Sequence, residues 1–461
     1  MISFSIIQKS QLEGAKRMDA EYYQPEHFID FMKGTWRPIG DVLDLCQYGI
    51  SQAMNDDKKG YPIFKMDNID YGFLFDDDMR FADVSDSIFN QFKIKKDDVF
   101  FNRVNSEEFV GRTGIYKFDS LKSVFASYLI RARVKSGGEI LADYLNIFLN
   151  SSYGLKQIRK YARRAVNQAN VNAEELKQMK IAVLPKSEQE KIAELSNKSW
   201  QEFQNSKTFY SQAEDLLLEE LGLKDFRDKE DLFAVVNLSE VKNAHRIDAE
   251  YFQGEYKKIT DKVEKNKSGW DFLENLTEFI NNGNQPGYSE DGAIKFFSQK
   301  WIKNKGIDYS FLTDKTEPRV SKAFFEDKKN APYLIRKYDI LYYSVGANLG
   351  YCHNYLEDEN IAIGSFINLI RADKNKIDPV FLGFVLNSVV GRMQAEMNKS
   401  GLAQPYIYAK NLRKFKIPIL PKSIQQKVSD LIRQSHESRK KAKDLLNEAK
   451  RKVEELIEKG R

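Results

Sequence analysis

The string RMDAEYYQPE begins at Arg17 and returns as RIDAEYFQGE at Arg246, an offset of 229. VLPKSEQEKI begins at Val183 and returns as ILPKSIQQKV at Ile419, an offset of 236. Between these ends, KKDDVFF around Asp98 answers RKYDILYY around Asp339, LIRA at Leu129 answers LIRA at Leu369, and LNSSYG at Leu149 answers LNSVVG at Leu386. Five matches in one order, at offsets of 229 to 241, make the chain a tandem duplication. Any fold it adopts must therefore be built twice from a unit of roughly 230 residues.

Each half reads as two parts. Runs such as DDVFFNRV, SVFASYLIRARV and DILYYSV are rich in Val, Ile, Phe and Tyr and predict short strands. ADYLNIFLNSSYGLKQIRKYARR and its partner PVFLGFVLNSVVGRMQAEMNK predict helix. After Pro185 and Pro421 the chain runs on without Pro or interior Gly, which predicts one long helix per half. The expected layout is a first mixed domain over 1–185, a long helix over 186–222 and a linker over 223–246. A second mixed domain over 247–421 and a second long helix over 422–461 complete it. The fold class is α+β: two tandem mixed α/β domains joined by two long antiparallel coiled-coil helices with pseudo-twofold symmetry.

The second helix carries a seam at Ile424, Val428, Leu431, Ser435, Ser438, Ala442, Leu445, Ala449 and Val453, close to a coiled-coil period. The first copy answers with Ile192, Leu195, Ser199, Ser206, Phe209, Ala213 and Leu217. Two matched seams favour mutual pairing over two separate solvent-facing helices, because each seam would otherwise stay exposed. About 35 residues at roughly 1.5 Å each make a rod of about 50 Å.

Composition sets the limits on function. Hydrophobic residues are 42% and charged residues 30%, which describes a globular protein. The balance of 72 basic against 67 acidic residues leaves +5, so any nucleic-acid surface must be local. Two cysteines, Cys46 and Cys352, form no disulfide framework, and no long apolar run or signal-like N-terminus is present, so a cytoplasmic protein is expected. No Gly-Lys pair for a P-loop, no Pro-Pro pair of an amino-methyltransferase motif and no Gly-rich cofactor fingerprint occur. The four histidines stand apart, so no metal site is expected of them. The acidic run Asp76–Asp78 reads as a solvated turn before a metal cage. The expectation is a chain that is not an enzyme and holds no cofactor.

Three segments are candidates for DNA contact. Lys156, Arg159, Lys160, Arg163 and Arg164 contain no acid among them and, on one helix, would offer a phosphate-binding side or simply a solvated basic face. In the second copy Arg392 and Lys399, then Lys410, Arg413, Lys414 and Lys416, are the weaker answer. The loop NRVNSEEFVGRTG supplies Arg103, Asn105 and Arg112, and SVGANLGY supplies Ser344 and Asn348, with donors suited to base edges. FKMDNID places Lys65, Asp67 and Asn68 opposite Gln299, Lys300 and Trp301.

Two mixed domains, each ending in an LPKSEQEKI-like segment and a long helix, resemble the specificity subunit of type I restriction–modification systems. Leu184, Pro185, Glu188, Gln189 and Ile192 match that segment, answered by Leu420, Pro421, Gln425, Gln426 and Val428. The family's Gln ahead of the segment is matched by Gln168 and Gln404; Glu107 and Glu108 depart from its small loop residues. The resemblance implies that each domain reads one half of a bipartite, gapped site in double-stranded DNA. It implies that the paired helices set the gap and dock two DNA adenine methyltransferase subunits, to which restriction subunits can be added. S-adenosylmethionine, ATP and Mg would belong to those partners. A coiled-coil scaffold that bridges two proteins without touching DNA is the rival expectation.

Overall fold

A computed structural model describes residues 6–10, 12, 17–27, 29, 34–166, 168–224, 235–314, 316–401 and 403–460. Residues 225–234 of the expected linker, and part of the N-terminal stretch read above, lie outside them. The fold is mixed α/β with two long helices, Lys186–Glu220 and Lys422–Glu458. It forms two units, one taking the residues up to Gln204 together with those from Ser438 onward, the other Asn205–Glu437. Each unit thus owns a part of both long helices.

In the first unit, Val99–Asn102 is a strand with every residue buried. Its apolar run Val99–Phe101 fits a strand covered on both faces, and Asn102 at its end donates to Phe109 O at 3.3 Å. Val99 and Phe101 join a core with helix Ala142–Leu149, whose eight residues are all buried; Phe100 joins Phe64, Phe125 and Leu129 in a second core. The strand is third in a six-stranded sheet ordered Leu43–Tyr48, Leu129–Val134, Val99–Asn102, Thr113–Ile115, Phe73–Leu74, Ile69–Asp70. The second unit has Ile340–Tyr343 in a four-stranded sheet, between Ile367–Ala372 and Cys352–Asn354. Its residues alternate in the same way, Ile340 and Tyr342 into one core, Leu341 and Tyr343 into another.

The repeated strings turn out to be joints. Asp98 accepts from Arg133 at 2.6 and 2.7 Å and from the Lys95 amide at 2.9 Å. Asp339 does the same with Arg371 at 2.8 and 2.7 Å and the Arg336 amide at 2.9 Å. Arg17 grips Asp19 and donates to Tyr161 O at 2.9 Å, as Arg246 grips Asp248 and reaches Met397 O at 3.4 Å. In LNSSYG and LNSVVG, a Cβ on Gly154 would lie 2.3 Å from Phe148 O, and on Gly391 2.0 Å from Leu386 O. Only glycine lets the second helix of each pair start so close to the first.

The Gln of LPKSEQEKI is a latch between helix and globular part. Gln189 is 0% exposed; its Oε1 accepts from Leu141 N at 2.9 Å, and its Nε2 donates to Glu139 O at 2.8 Å and Leu184 O at 2.9 Å. Gln425 repeats two of these bonds, to Asp378 N and Leu420 O, at 3.1 and 2.8 Å. Gln189→Leu keeps the volume and strips the amide, leaving buried backbone groups unpaired at about 1–3 kcal/mol for the group stranded worst. Urea denaturation should show a loss of about 2–3 kcal/mol, against almost none for exposed Glu190→Ala. Equal stability of the two variants would refute the latch.

The long helices meet on small residues. In the first unit Ser199 Oγ donates to Ala442 O at 2.8 Å, and Glu188 and Glu202 contact Lys452 and Lys441, so the two segments run in opposite directions. In the second, Ser435 Oγ donates to Ser206 O at 2.8 Å. The expected seam needs a correction of one residue in places. Beyond Gln189, the buried positions of the first helix are Ile192, Ser196, Ser199, Phe203, Ser206, Tyr210, Ala213 and Leu217. Leu195 is only half-buried against its core, and Phe209 belongs to no core cluster. On the second helix Leu446, not Leu445, is buried, with Ala442, Ala449 and Val453; Val428 is buried and Ile424 and Leu431 are half-buried. Where Ser or Ala lets the backbones approach, a leucine no longer fits the seam and sits beside it.

Candidate nucleic-acid interface

Helix Ser152–Tyr161 is capped by Ser151 Oγ and ends at Ala162. The basic run therefore does not lie on one helix. Lys156 and Arg159 are exposed on it, but Arg163 and Arg164 stand on strand Arg163–Ala165. The Ala162 amide closes the last helical bond to Ile158 O, Ala162 itself leaves the helical conformation, and the free Tyr161 O accepts from the Arg17 guanidinium at 2.9 Å.

Strand Arg163–Ala165 pairs antiparallel with Gln168–Asn170, which pairs in turn with Val104–Asn105. This small sheet joins two segments that are 60 residues apart in sequence, the basic run and the NRVNSEEFVGRTG loop. Arg164 binds Glu107 at 2.6 Å, and that guanidinium holds the Glu107 carboxyl below its usual range. Arg163 binds Glu175 at 2.6 Å. Lys160 is half-buried over the Tyr22 ring at 4.7 Å, and burial pushes its ammonium below the ordinary lysine value. Lys156 and Arg159 make no ion pair among the described residues.

Several candidate readers point inward. Arg103 donates to Ser127 O at 2.9 Å with its guanidinium over Tyr48. Asn105 Oδ1 accepts from the Ser106 amide at 2.8 Å, and its Nδ2 lies 3.6 Å from Met66 Sδ. Asn68 is buried, bonded to Lys65 N and Asp77 O, and Lys65 contacts Asp67 at 3.3 Å. Ser344 is fully buried and donates to Phe366 O at 2.7 Å. Asn68 and Ser344 are buried and close a turn and a strand end, which removes them as base readers, whereas Arg103 and Asn105 are half-buried and bonded within the protein. Arg112 remains exposed over the Phe109 ring at 4.0 Å, and Asn348 is exposed.

In the second unit Lys300 is exposed but bound to buried Glu317 at 2.6 Å, and Gln299 Oε1 has no partner among the described residues. Arg392 turns inward to Asn304, and Arg413 to Ile280 O. The counterpart of the small sheet is reduced to two bridges, Val345 to Tyr406 and Ser400 to Tyr406. Lys410 and Lys414 are exposed in the second unit.

Among the described residues no cluster of three or more His, Cys, Asp or Glu could hold a metal, and no helix is long and apolar enough to cross a membrane. Burial pushes the Cys46 thiol up to about 11, which keeps it protonated at neutral pH.

The family model for the type I restriction modification DNA specificity domain matches the chain twice, over residues 34–198 and 255–451. A protein of Methanocaldococcus jannaschii assigned as the MjaX specificity subunit of a type I restriction enzyme is 25% identical over 460 residues, covering 96% of this chain and 95% of its own length. The EcoKI specificity subunit of Escherichia coli K12 is 27% identical over 172 residues, 37% of this chain and 36% of its own. The crystal structure of a type I restriction–modification S subunit from M. genitalium overlaps at a TM-score of 0.42 with 14% identity, over 95% of this chain and 98% of that one.

Proposed function

Since the chain belongs to the type I restriction–modification DNA specificity family, we propose that it is the subunit that reads a bipartite, gapped DNA site and leaves the chemistry to others. The observation that carries this reading is the double match, one DNA specificity domain in each half of the chain. Two tandem recognition domains, related by a pseudo-twofold, would each take one half-site, and the long helices would pair as a coiled-coil spacer between them. The two half-sites would differ, because the exposed polar groups of the two units differ. Two adenine methyltransferase subunits would dock on this frame, bringing S-adenosylmethionine, with restriction subunits bringing ATP and Mg. Lys156, Arg159 and Arg112 are the first unit's exposed candidates for contact with DNA, with exposed Lys300 and Asn348 and half-buried Gln299 in the second.

A map of methylated adenine in cells with and without the gene tests the role and supplies the site. A gapped two-part motif should vanish on deletion; no change would favour the protein scaffold. On a duplex carrying that motif, affinity of the assembled complex should fall steeply with salt. Lys156→Ala and Arg159→Ala should each reduce the log–log slope by about 1. Unchanged slopes would remove this helix from the interface.

A further inference from the structure

We infer that Tyr128 and Phe366 lie against the DNA, one ring in each half-site, in an apolar contact that the two domains share whatever bases each reads. This deepens the DNA-reading proposal and rests on it.

Both rings stand on the same kind of turn. Leu129 N donates to Ala126 O at 3.0 Å, and Ile367 N to Gly364 O at 3.3 Å. Ser127-Tyr128 and Ser365-Phe366 are therefore the central residues of equivalent turns, each leading into a strand of its unit's main sheet. Turn centres are served by Gly, Pro, Asn, Asp and Ser, which fit the bent backbone or bond to it. A large aromatic does neither. Yet Tyr128 is 46% and Phe366 57% exposed, and neither belongs to an apolar cluster of its unit. Folding gains little from these side chains, and the same position carries one in both copies. With tyrosine in one and phenylalanine in the other, what is shared is the ring and not the hydroxyl.

Each turn is fastened from below. Tyr128 O accepts from the Arg103 amide at 3.0 Å, and Ser127 O from Arg103 Nε at 2.9 Å. Phe366 O accepts from the Ser344 amide at 3.2 Å and from Ser344 Oγ at 2.7 Å. Gly49 N and Gly283 N hold the next residue, donating to Leu129 O and Ile367 O at 3.2 and 2.7 Å. Arg103 and Ser344 thus present a ring, and a ring on so fixed a base loses little freedom when it is covered. The surroundings suit an anionic partner. Exposed Tyr48 lies under the Arg103 guanidinium at 4.9 Å. In the second unit Ile407 N donates to Ser344 O at 3.0 Å, and the next residue is exposed Tyr408, with Lys410 Nζ 5.5 Å from its ring. None of these side chains is acidic, and both turns lie within the matched DNA specificity domains.

The test uses the assembled complex and a duplex carrying its mapped site, with fluorescence anisotropy at several salt concentrations. Tyr128→Ala and Phe366→Ala should each weaken binding about tenfold or more, near the worth of burying an aromatic side chain. The factor should be the same at every salt concentration, because an apolar contact releases no counterions. Tyr128→Phe and Phe366→Tyr should bind as wild type does, and all four variants should keep the wild-type urea midpoint and co-purify with the methyltransferase. If either alanine variant binds as tightly as wild type, or lowers the urea midpoint, the inference fails while the DNA reading stands. Loss of the methyltransferase subunit from an alanine variant would give that ring to a protein partner and overturn the inference equally. If wild type does not prefer its mapped site over random duplex, the DNA reading fails first and takes the inference with it.

Discussion

Phe203→Ala should lower the unfolding free energy of the first unit by about 3–5 kcal/mol, the usual range for emptying a buried aromatic site. Phe203 is 4% exposed on the long helix, and its ring lies 5.3 Å from Tyr71, 6.0 Å from Phe73 and 5.5 Å from Phe75. Trp200, one turn earlier, meets Phe73, Phe75 and Phe118 at 5.2 to 5.6 Å. Lys443 from the other long helix covers the outer face of Tyr71 at 4.4 Å. Edge-to-face and offset rings add to the area they bury, and a truncated ring leaves a cavity that neighbours this rigid fill only in part. Urea denaturation read by tryptophan fluorescence measures it, since Trp200 reports from inside the cluster. Phe209→Ala, half-buried and outside every core cluster, should cost much less. A loss below about 1 kcal/mol for Phe203→Ala would mean that the helix is not packed on the segment Tyr71–Phe75.

Replacing the first recognition domain, residues 1–185, by residues 247–421 should convert an asymmetric methylated motif into a palindromic one. Each mismatched base pair costs about 1–3 kcal/mol, so methylation at the original site should fall by orders of magnitude. The exchange is physically reasonable because the joints agree. Gln189 and Gln425 latch the helix start, Gln157 and Gln394 clamp the backbone of Lys180 and Lys416, and Trp36–Pro38 and Trp270–Phe272 pair with the strands that follow. A chimaera that folds and still methylates the original asymmetric motif would overturn the assignment of one half-site to one domain.

The frame was readable from the amino acids, because it is written twice and its residues answer to local rules. DDVFFNRV and DILYYSV announce short strands, and the break at Pro185 and Pro421 announces the two long helices. Reading residue by residue placed the seam one position off at Leu195 and Phe209. A period fitted to apolar letters passes over Ser196 and lands on the larger neighbour. The candidate readers fared worse, for a related reason. Asn68, Asn105 and Ser344 have side chains suited to base edges and equally suited to closing a backbone turn, and only the tertiary position decides between them. The hairpin was missed outright. Its signal was two short runs, RRA and QAN, that follow one another closely, and the basic run drew that stretch into the helix before it.

If the chain reads DNA as proposed, the carboxylates of Glu107 and Glu175 have a kinetic meaning. They sit on the Arg164 and Arg163 forks much as a phosphate would, so a random duplex finds those cations already engaged. Binding that depends on phosphates alone is weakened by each such engagement, whereas binding won through a matching base edge is not. Short residence on unrelated DNA follows. A protein that must inspect a whole chromosome for a rare site then searches faster than a nakedly basic surface would allow.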